Sequence, residues 1–71
     1  MEMETVTLKV NGMSCGGCVA SVTRVLKATP GVSEAVVRLD ARDATVTFDP
    51  RETSAATLKS AIENAGYDVV G

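Results

Sequence analysis

The sequence contains no histidine and no tryptophan, and it has only one phenylalanine and one tyrosine among its 71 residues. Proteins that bind single-stranded nucleic acid stack the bases on aromatic side chains, and they need positive charge to attract phosphate. This chain has few aromatic residues and a net charge of −2. No apolar run approaches the ~20 residues that a transmembrane helix requires. We therefore expect neither nucleic-acid binding nor direct insertion into a membrane.

The amino-terminal residues lack the features of a secretory signal. Met1 to Glu4 form an acidic stretch that leads directly into strand-like alternation, without a basic segment or an apolar core. We therefore expect a cytoplasmic protein.

A chain of this length can bury roughly 60% of its unfolded surface, which is enough for one thin core. The sequence predicts a single domain over residues 1–71.

The hydrophobic pattern predicts four strands and two helices. Strict alternation is typical of half-buried strands, whereas apolar residues three and four apart are typical of amphipathic helices. Thr53 or Ser54 caps the second helix, and Gly66 ends it. The strands are expected at 5–10, 32–39, 44–48 and 67–70, and the helices at about 17–28 and from 54 to 65. The expected buried positions are Val19, Val22, Val25 and Leu26 in the first helix and Leu58, Ala61, Ile62 and Ala65 in the second, with Ser21, Arg24 and Lys27 facing outward.

The order of these elements is strand, helix, strand, strand, helix, strand. With right-handed crossovers, this order gives an α+β fold: a ferredoxin-like βαββαβ sandwich, in which a four-stranded antiparallel sheet carries both helices on one face. The loops that follow the first strand and precede the last strand then lie at the same end. We therefore expect Cys15, Cys18 and Tyr67 to be neighbours.

The only two cysteines are Cys15 and Cys18, at the junction of the first strand and the first helix. Two sulfurs three residues apart across a helix start lie on the same side. Unpaired N–H groups and the helix dipole in the first turn favour a thiolate. The pair can therefore hold one soft metal ion or close into one disulfide.

Two thiolates suit a metal ion of low coordination number. Structural zinc requires four ligands, and Ca²⁺ and Mg²⁺ require oxygen, which no acid inside this loop supplies. Cu(I) fits best, with Ag(I) and Hg(II) as alternatives. An open two-coordinate site lets an incoming thiolate take over the ion, which is typical of a carrier. The loop offers no acid–base group, so we do not expect an enzyme.

Thiol–disulfide exchange is the competing interpretation, because C-x-x-C near a βαβ pattern can be a redox motif. Thioredoxin-like proteins are usually longer, and they typically carry an aromatic residue before the pair and a proline near it. This chain has neither. A structural disulfide would close only a four-residue loop and would constrain little of the unfolded chain.

Charge is unevenly distributed along the chain. Residues 5–33 contain Lys9, Arg24 and Lys27 and no acidic residue, whereas residues 34–71 contain seven acidic residues. One interpretation is a solvated helix face whose charges cluster by chance. The other is a docking surface on the first helix, in which Arg24 and Lys27 meet an acidic partner and speed association.

The stretch from Gly12 to Cys18, with the sequence GMSCGGC, resembles the G-M-x-C-x-x-C signature of heavy-metal-associated domains. The resemblance extends over essentially the whole chain, including the turn at 30–32 and the segment 61–67. Such domains occur in copper chaperones, in copper-transporting P-type ATPases and in mercuric-ion-binding proteins. The nearest resemblance is to bacterial copper chaperones. The pair of glycines between the cysteines departs from the family pattern and loosens the loop.

The resemblance implies a role for each residue at the loop. Cys15 and Cys18 match the metal ligands, and Met13 matches a buried residue that supports the loop. Tyr67 matches a position near the site at which bacterial copper chaperones carry tyrosine; it either closes the edge of the core as a strand residue or limits the access of water and a third ligand to the ion. It also implies a monomer whose partner is a copper-transporting P-type ATPase or another metal-binding domain. An ion shared by four thiolates could bridge two copies. The remaining alternatives are a Hg(II)-binding protein and an excised module of a metal-transporting ATPase.

Overall fold

A computed structural model describes residues 2–14 and 16–70 of the chain. The elements in chain order are β1 (Glu4–Asn11), α1 (Gly16–Ala28), β2 (Val32–Arg38), β3 (Asp43–Phe48), α2 (Ala55–Asn64) and β4 (Asp68–Val70). Within the described ranges, no helix is long and apolar enough to cross a membrane.

The four strands form one antiparallel sheet in the order β2-β3-β1-β4. The two central strands are therefore β1 and β3, and each of the two crossovers passes over one strand through a helix. This arrangement confirms the predicted ferredoxin-like βαββαβ fold. The end of β1 and the start of β4 lie side by side, because Asn11 is opposite Asp68.

The core lies between the helices and one face of the sheet. Alternate residues of the central strands meet apolar residues from both helices in one cluster, so α1 and α2 cover the same face. The opposite face carries hydroxyl pairs across β1 and β3, in which Thr5 Oγ1 and Thr7 Oγ1 lie 3.2 Å from Thr47 Oγ1 and Thr45 Oγ1, respectively. The buried core residues are Leu8, Val10, Met13, Val22, Leu26, Ala35, Ala44, Val46, Phe48, Leu58 and Ile62.

The limits of α2 agree with its predicted capping residues. Ser54 is the N-cap, and its hydroxyl accepts a hydrogen bond from the Thr57 N–H at 3.3 Å. Gly66 follows the helix with φ +99°, the left-handed conformation that glycine adopts without strain. The periodicity places Ala65 on the buried face, but Ala65 is exposed because α2 ends at Asn64 and Ala65 is its C-cap.

Two further expectations differ from the structure. The pattern predicts that Ser21 faces outward, but Ser21 is half-buried, because it lies one residue before the fully buried Val22 at the edge of the apolar stripe of α1. The register of β2 shifts between Val32 and Glu34, so that Ser33 is an extra residue opposite β3. The alternation pattern carries no signal for such a bulge.

Candidate metal-binding site

The cysteine loop connects the central strand β1 to α1. Its described residues are Gly12 to Ser14, before α1 begins at Gly16. Cys15 lies outside the described residues. A loop between a central strand and a helix start has both of its ends held by the core. The fold therefore fixes where the loop begins and ends.

Cys18 is the third residue of α1 and lies in its first turn. Its side chain is half-buried and packs against the hydrophobic core. Backbone N–H groups of a first turn have no partner within the helix, and they bear the positive end of the helix dipole. All residues of this turn are described, and none is acidic. Cys18 therefore lies at the positive end of α1, in a turn without acidic residues.

Met13 lies beneath the loop. Its side chain is only 7% exposed and belongs to the core cluster. A buried thioether packs as a flexible apolar side chain and is poorly placed to reach an ion at the surface. The structure thus places Met13 where a supporting residue would lie, and its effect on metal binding stays a prediction.

Tyr67 lies next to the beginning of the loop. Gly12 has φ +99°, and a Cβ on it would lie 3.5 Å from Tyr67 Cδ1. The Tyr67 N–H donates to the Ile62 carbonyl at 3.3 Å, which ties this residue to the end of α2. The tyrosine is half-buried and packs against the same cluster as Cys18. The structure therefore brings the loops on both sides of the site together, and the role of Tyr67 in restricting access stays a prediction.

The side chains around the loop do not supply a metal site with several protein ligands. Among residues 2–14 and 16–70, no three His, Cys, Asp or Glu side chains come together where they could hold an ion. Tetrahedral zinc and oxygen-bound calcium both need more protein ligands than a cysteine pair offers. Two thiolates alone would suit a soft ion held by few ligands.

The two predicted docking residues lie at different distances from the loop. Arg24 and Lys27 are both exposed on α1, ~12 Å and ~17 Å along the axis from Gly16, at 1.5 Å per residue. Lys27 occupies the last turn, where a positive charge also stabilises the helix dipole. Lys9 is the third cation of residues 5–33. Its Nζ donates to the Ala41 carbonyl at 3.3 Å, so its side chain is directed at the turn between β2 and β3.

An ion pair at the cysteine end of the sheet was not among the sequence-based expectations. Asp43 is 4% exposed, and its carboxylate accepts hydrogen bonds from Arg38 Nε at 3.3 Å and Arg38 Nη2 at 3.1 Å. These hydrogen bonds lower the pKa of the Asp43 carboxyl, against the opposing effect of burial. The pair closes the β2–β3 hairpin. Opposite charges on the two sides of the short turn at 39–42 were the available signal.

The comparisons with known proteins agree with this geometry. Residues 7–68 match the model of the heavy-metal-associated domain. The solved structure of a CopZ metallochaperone superposes with a TM-score of 0.91 at 39% identity, covering 94% of this chain and 100% of that one. The mercuric transport protein periplasmic component of Serratia marcescens is 44% identical over 64 residues, which are 90% of this chain and 70% of that protein.

A third relative is much longer. The copper-exporting P-type ATPase of Bacillus subtilis is 39% identical over 69 residues, which are 97% of this chain but only 9% of the ATPase. The match therefore concerns one part of that protein. The family match spans most of the chain and includes the cysteine loop, and it shows that this chain belongs to the heavy-metal-associated domain family.

Proposed function

We propose that this chain is a Cu(I) carrier, a single domain over residues 1–71, in which Cys15 and Cys18 hold the ion as cargo. The family is one of metal-binding domains and not of enzymes. The observation that carries this proposal is the position of Cys18, which lies in a first helical turn without acidic residues and packs against the core cluster that contains Met13. Two thiolates alone are too few for tetrahedral Zn²⁺ and suit Cu(I).

The same arrangement supports transfer by ligand exchange. A thiolate of the acceptor adds to the bound ion and gives a three-coordinate intermediate, from which one of the two cysteine thiolates leaves. Repetition moves the ion to the acceptor's dithiolate without release to water, and each freed thiolate returns to the stabilising first turn or loop. The acceptor that we propose is a domain of related chemistry, such as one on a copper-transporting P-type ATPase. An ion bound by all four thiolates of two copies would instead hold those copies together as a dimer.

The surroundings of the ion depend on its neighbours as well as its ligands. We assign Met13 the role of holding the loop from the core, and Tyr67 that of a wall that limits access of water and of a third ligand. Ag(I) should bind the same sulfurs, because it is also a soft ion of low coordination number. The role requires reduced thiols, which the cytoplasm maintains, so we propose that the carrier acts there.

Hg(II) binding is the second candidate, because relatives from mercuric transport are 44% identical to this chain. Hg(II) accepts the same two-sulfur coordination. Those relatives are named as periplasmic components, so this alternative also changes the location. A further alternative is a module of a metal-transporting ATPase, since 97% of this chain aligns with 9% of such a protein.

An anaerobic competition titration of the reduced chain tests the choice of ion. Cu(I) is titrated against a calibrated chelator, Hg(II) is titrated in parallel, and the loaded chain is then mixed with a second dithiolate domain. A copper carrier retains one Cu(I) per chain against the chelator and releases it rapidly to the acceptor. Weak retention of Cu(I) with firm capture of Hg(II) would overturn the copper proposal, and binding of neither ion would favour thiol–disulfide exchange.

The docking role of α1 is tested by charge reversal. The double variant Arg24→Glu, Lys27→Glu should slow Cu(I) transfer to an acidic acceptor and leave Cu(I) affinity unchanged, because steering acts on the association rate. The double variant Arg51→Glu, Lys59→Glu is the matched control, because it changes the net charge by the same amount at exposed cations outside α1. Equal transfer rates for the double variant and the control would remove the docking surface from the account.

A further inference from the structure

The edge strand β2 exposes backbone groups that no described strand pairs. β2 (Val32–Arg38) is the first strand of the sheet order, and only β3 lies beside it. Unpaired edge groups are a template for another strand, and proteins usually block them with short strands, charges or bulges. β2 is seven residues long, and its bulge lies at one end, between Val32 and Glu34. Most of this edge is therefore regular.

The ladder shows which groups face outward. The Val10 N–H donates to the Arg42 carbonyl at 2.8 Å. The backbone groups of Arg42, the residue before β3, therefore point toward β1. In an antiparallel sheet, the backbone N–H and C=O groups of successive residues point to opposite sides of the strand. The backbone groups of Asp43 and Thr45 therefore point toward β2. Their partners in the register are Arg38 and Val36, which therefore bond inward.

The residues between those inward-bonding positions face the open edge. The N–H and C=O groups of Ala35 and Val37 point away from β3, by the same alternation. The two residues are separated by Val36. An antiparallel strand centred opposite Val36 would form four backbone hydrogen bonds with this pair of residues.

The side chains on the uncovered face of β2 read Glu34, Val36, Arg38. This order is self-complementary under a two-fold axis through Val36. In an antiparallel pair of two copies, Glu34 faces Arg38 of the second copy on each side, and Val36 faces its own counterpart. A parallel in-register pair would instead place like charges opposite one another, which is destabilising.

The side chains of Glu34, Val36 and Arg38 are all exposed and accessible to a second copy. Val36 is 48% exposed, so its side chain is accessible to a second copy. Arg38 uses its Nε and Nη2 atoms on Asp43, yet its side chain is 58% exposed and keeps the Nη1 donors for another carboxylate. Glu34 is exposed and makes no ion pair with any residue of the described ranges.

We propose that two copies of this chain associate through β2, antiparallel across a two-fold axis at Val36, forming a continuous eight-stranded sheet. The Ala35 and Val37 backbones bond across the interface, and two Glu34–Arg38 ion pairs flank the Val36 contact. The central Val36 pair and the two Glu34–Arg38 pairs are all non-hydrogen-bonded pairs, in which opposing side chains approach most closely.

This dimer differs from a metal-bridged one. The cysteine loop lies at the same end of the sheet as Arg38, because Lys9 of β1 and Arg38 of β2 are both opposite Asp43 of β3. The two β2 strands of the dimer run in opposite directions. The two loops therefore lie at opposite ends of the dimer, and both stay open to acceptors. Association through β2 needs neither metal nor cysteine, and it stands or falls independently of the proposed cargo.

Self-association of the reduced chain, kept with a chelator, tests the proposal by pulsed-gradient NMR diffusion. The pairing is smaller than a standard interface, so we expect a dissociation constant on the order of 0.1–1 mM. Glu34→Arg places two arginine pairs across the axis and should weaken association by at least about tenfold. Glu63→Arg, the same change at an exposed site on α2, should leave it unchanged.

A second measurement reads the interface directly in the wild-type chain. Raising the concentration should slow amide exchange at Ala35 and Val37 and leave Val36 unchanged, because the Val36 N–H already bonds to β3. A chain that stays monomeric at about 2 mM would overturn the proposal. So would association that appears only with Cu(I), equal association of Glu34→Arg and Glu63→Arg, or protection without this alternation.

Discussion

The two ends of the sheet place opposite demands on their glycines. At the end away from the cysteines, Gly31 has φ +93°, and a Cβ on it would lie 2.7 Å from Glu52 Cβ and 3.2 Å from Thr53 Cγ2. At the cysteine end, Gly16 has open space around it, because a Cβ added there would meet nothing within 4 Å beyond its own helix and chain neighbours. Packing requires the first glycine and does not require the second.

This difference separates the residues that maintain the fold from those available for function. The turn at Gly31 joins α1 to β2, and the Asp49 N–H donates to its carbonyl at 2.8 Å, so a change there disturbs several elements. Near Gly16, the buried Met13 belongs to the hydrophobic core. Substitution of Gly31 should therefore act on stability, whereas substitution of the two cysteines should act on metal binding.

Gly31→Ala should give the largest loss of stability. The added methyl group meets backbone-anchored atoms, and the left-handed φ is strained for alanine, so we expect the free energy of unfolding to fall by roughly 2–4 kcal/mol. Gly66→Ala is the matched control, because Gly66 has φ +99° and a Cβ there would meet nothing within 4 Å. It should lose only about 1 kcal/mol. Urea unfolding measures both, and equal losses would show that steric contact is not the cause.

Met13→Ala should affect both the stability of the fold and the binding of Cu(I). Removing a core side chain that is 7% exposed should lower the free energy of unfolding by about 2 kcal/mol, and it should also weaken Cu(I) retention by loosening the loop. Met3→Ala changes the same side chain where it is 39% exposed, before β1, and should change neither quantity. Chemical denaturation and a chelator competition follow the two effects. If Met13→Ala lowered stability without any change in retention, Met13 would be a core residue only.

Asp43→Asn should alter the acid sensitivity of the fold. The folded pKa of Asp43 lies below the ordinary 3.8, so its ionised form stabilises the native state above that pH. This contribution is lost as the pH falls from about 4 through the lower folded pKa. The variant should be less stable than the wild type at neutral pH, and the difference should shrink below pH 4. Asp68→Asn, at an exposed carboxylate, serves as control, and an unchanged pH profile for Asp43→Asn would contradict the assignment.

Gly16→Ala should have the smallest effect. Alanine at the first residue of α1 meets no neighbouring element and restricts the unfolded chain, so we expect the free energy of unfolding to rise by about 0.5 kcal/mol. Cu(I) affinity should stay the same if the loop needs no glycine at this position. A destabilised or poorly binding variant, measured by thermal unfolding and chelator competition, would remove the contrast with Gly31.

The sequence predicted the parts that depend on local pattern. Alternation and capping residues located all six elements, and the spacing of the cysteines pointed to the helix start that holds Cys18. The Arg38–Asp43 pair and the self-complementary edge of β2 depend on strand register, which the sequence alone does not give. The bulge at Ser33 and the exposure of Ala65 depend on the positions at which regular structure ends. These positions are set by tertiary contacts as well as by propensity.

The most direct test of the central claim is an anaerobic Cu(I) titration of the wild-type chain and the double variant Cys15→Ser, Cys18→Ser, with urea unfolding of both apo proteins. We expect one tightly held Cu(I) in the wild type and none in the variant, with free energies of unfolding within about 0.5 kcal/mol of each other. Stoichiometric Cu(I) binding by the variant would contradict the ligand assignment. A variant that unfolds would contradict the separation of function from stability at the cysteine end.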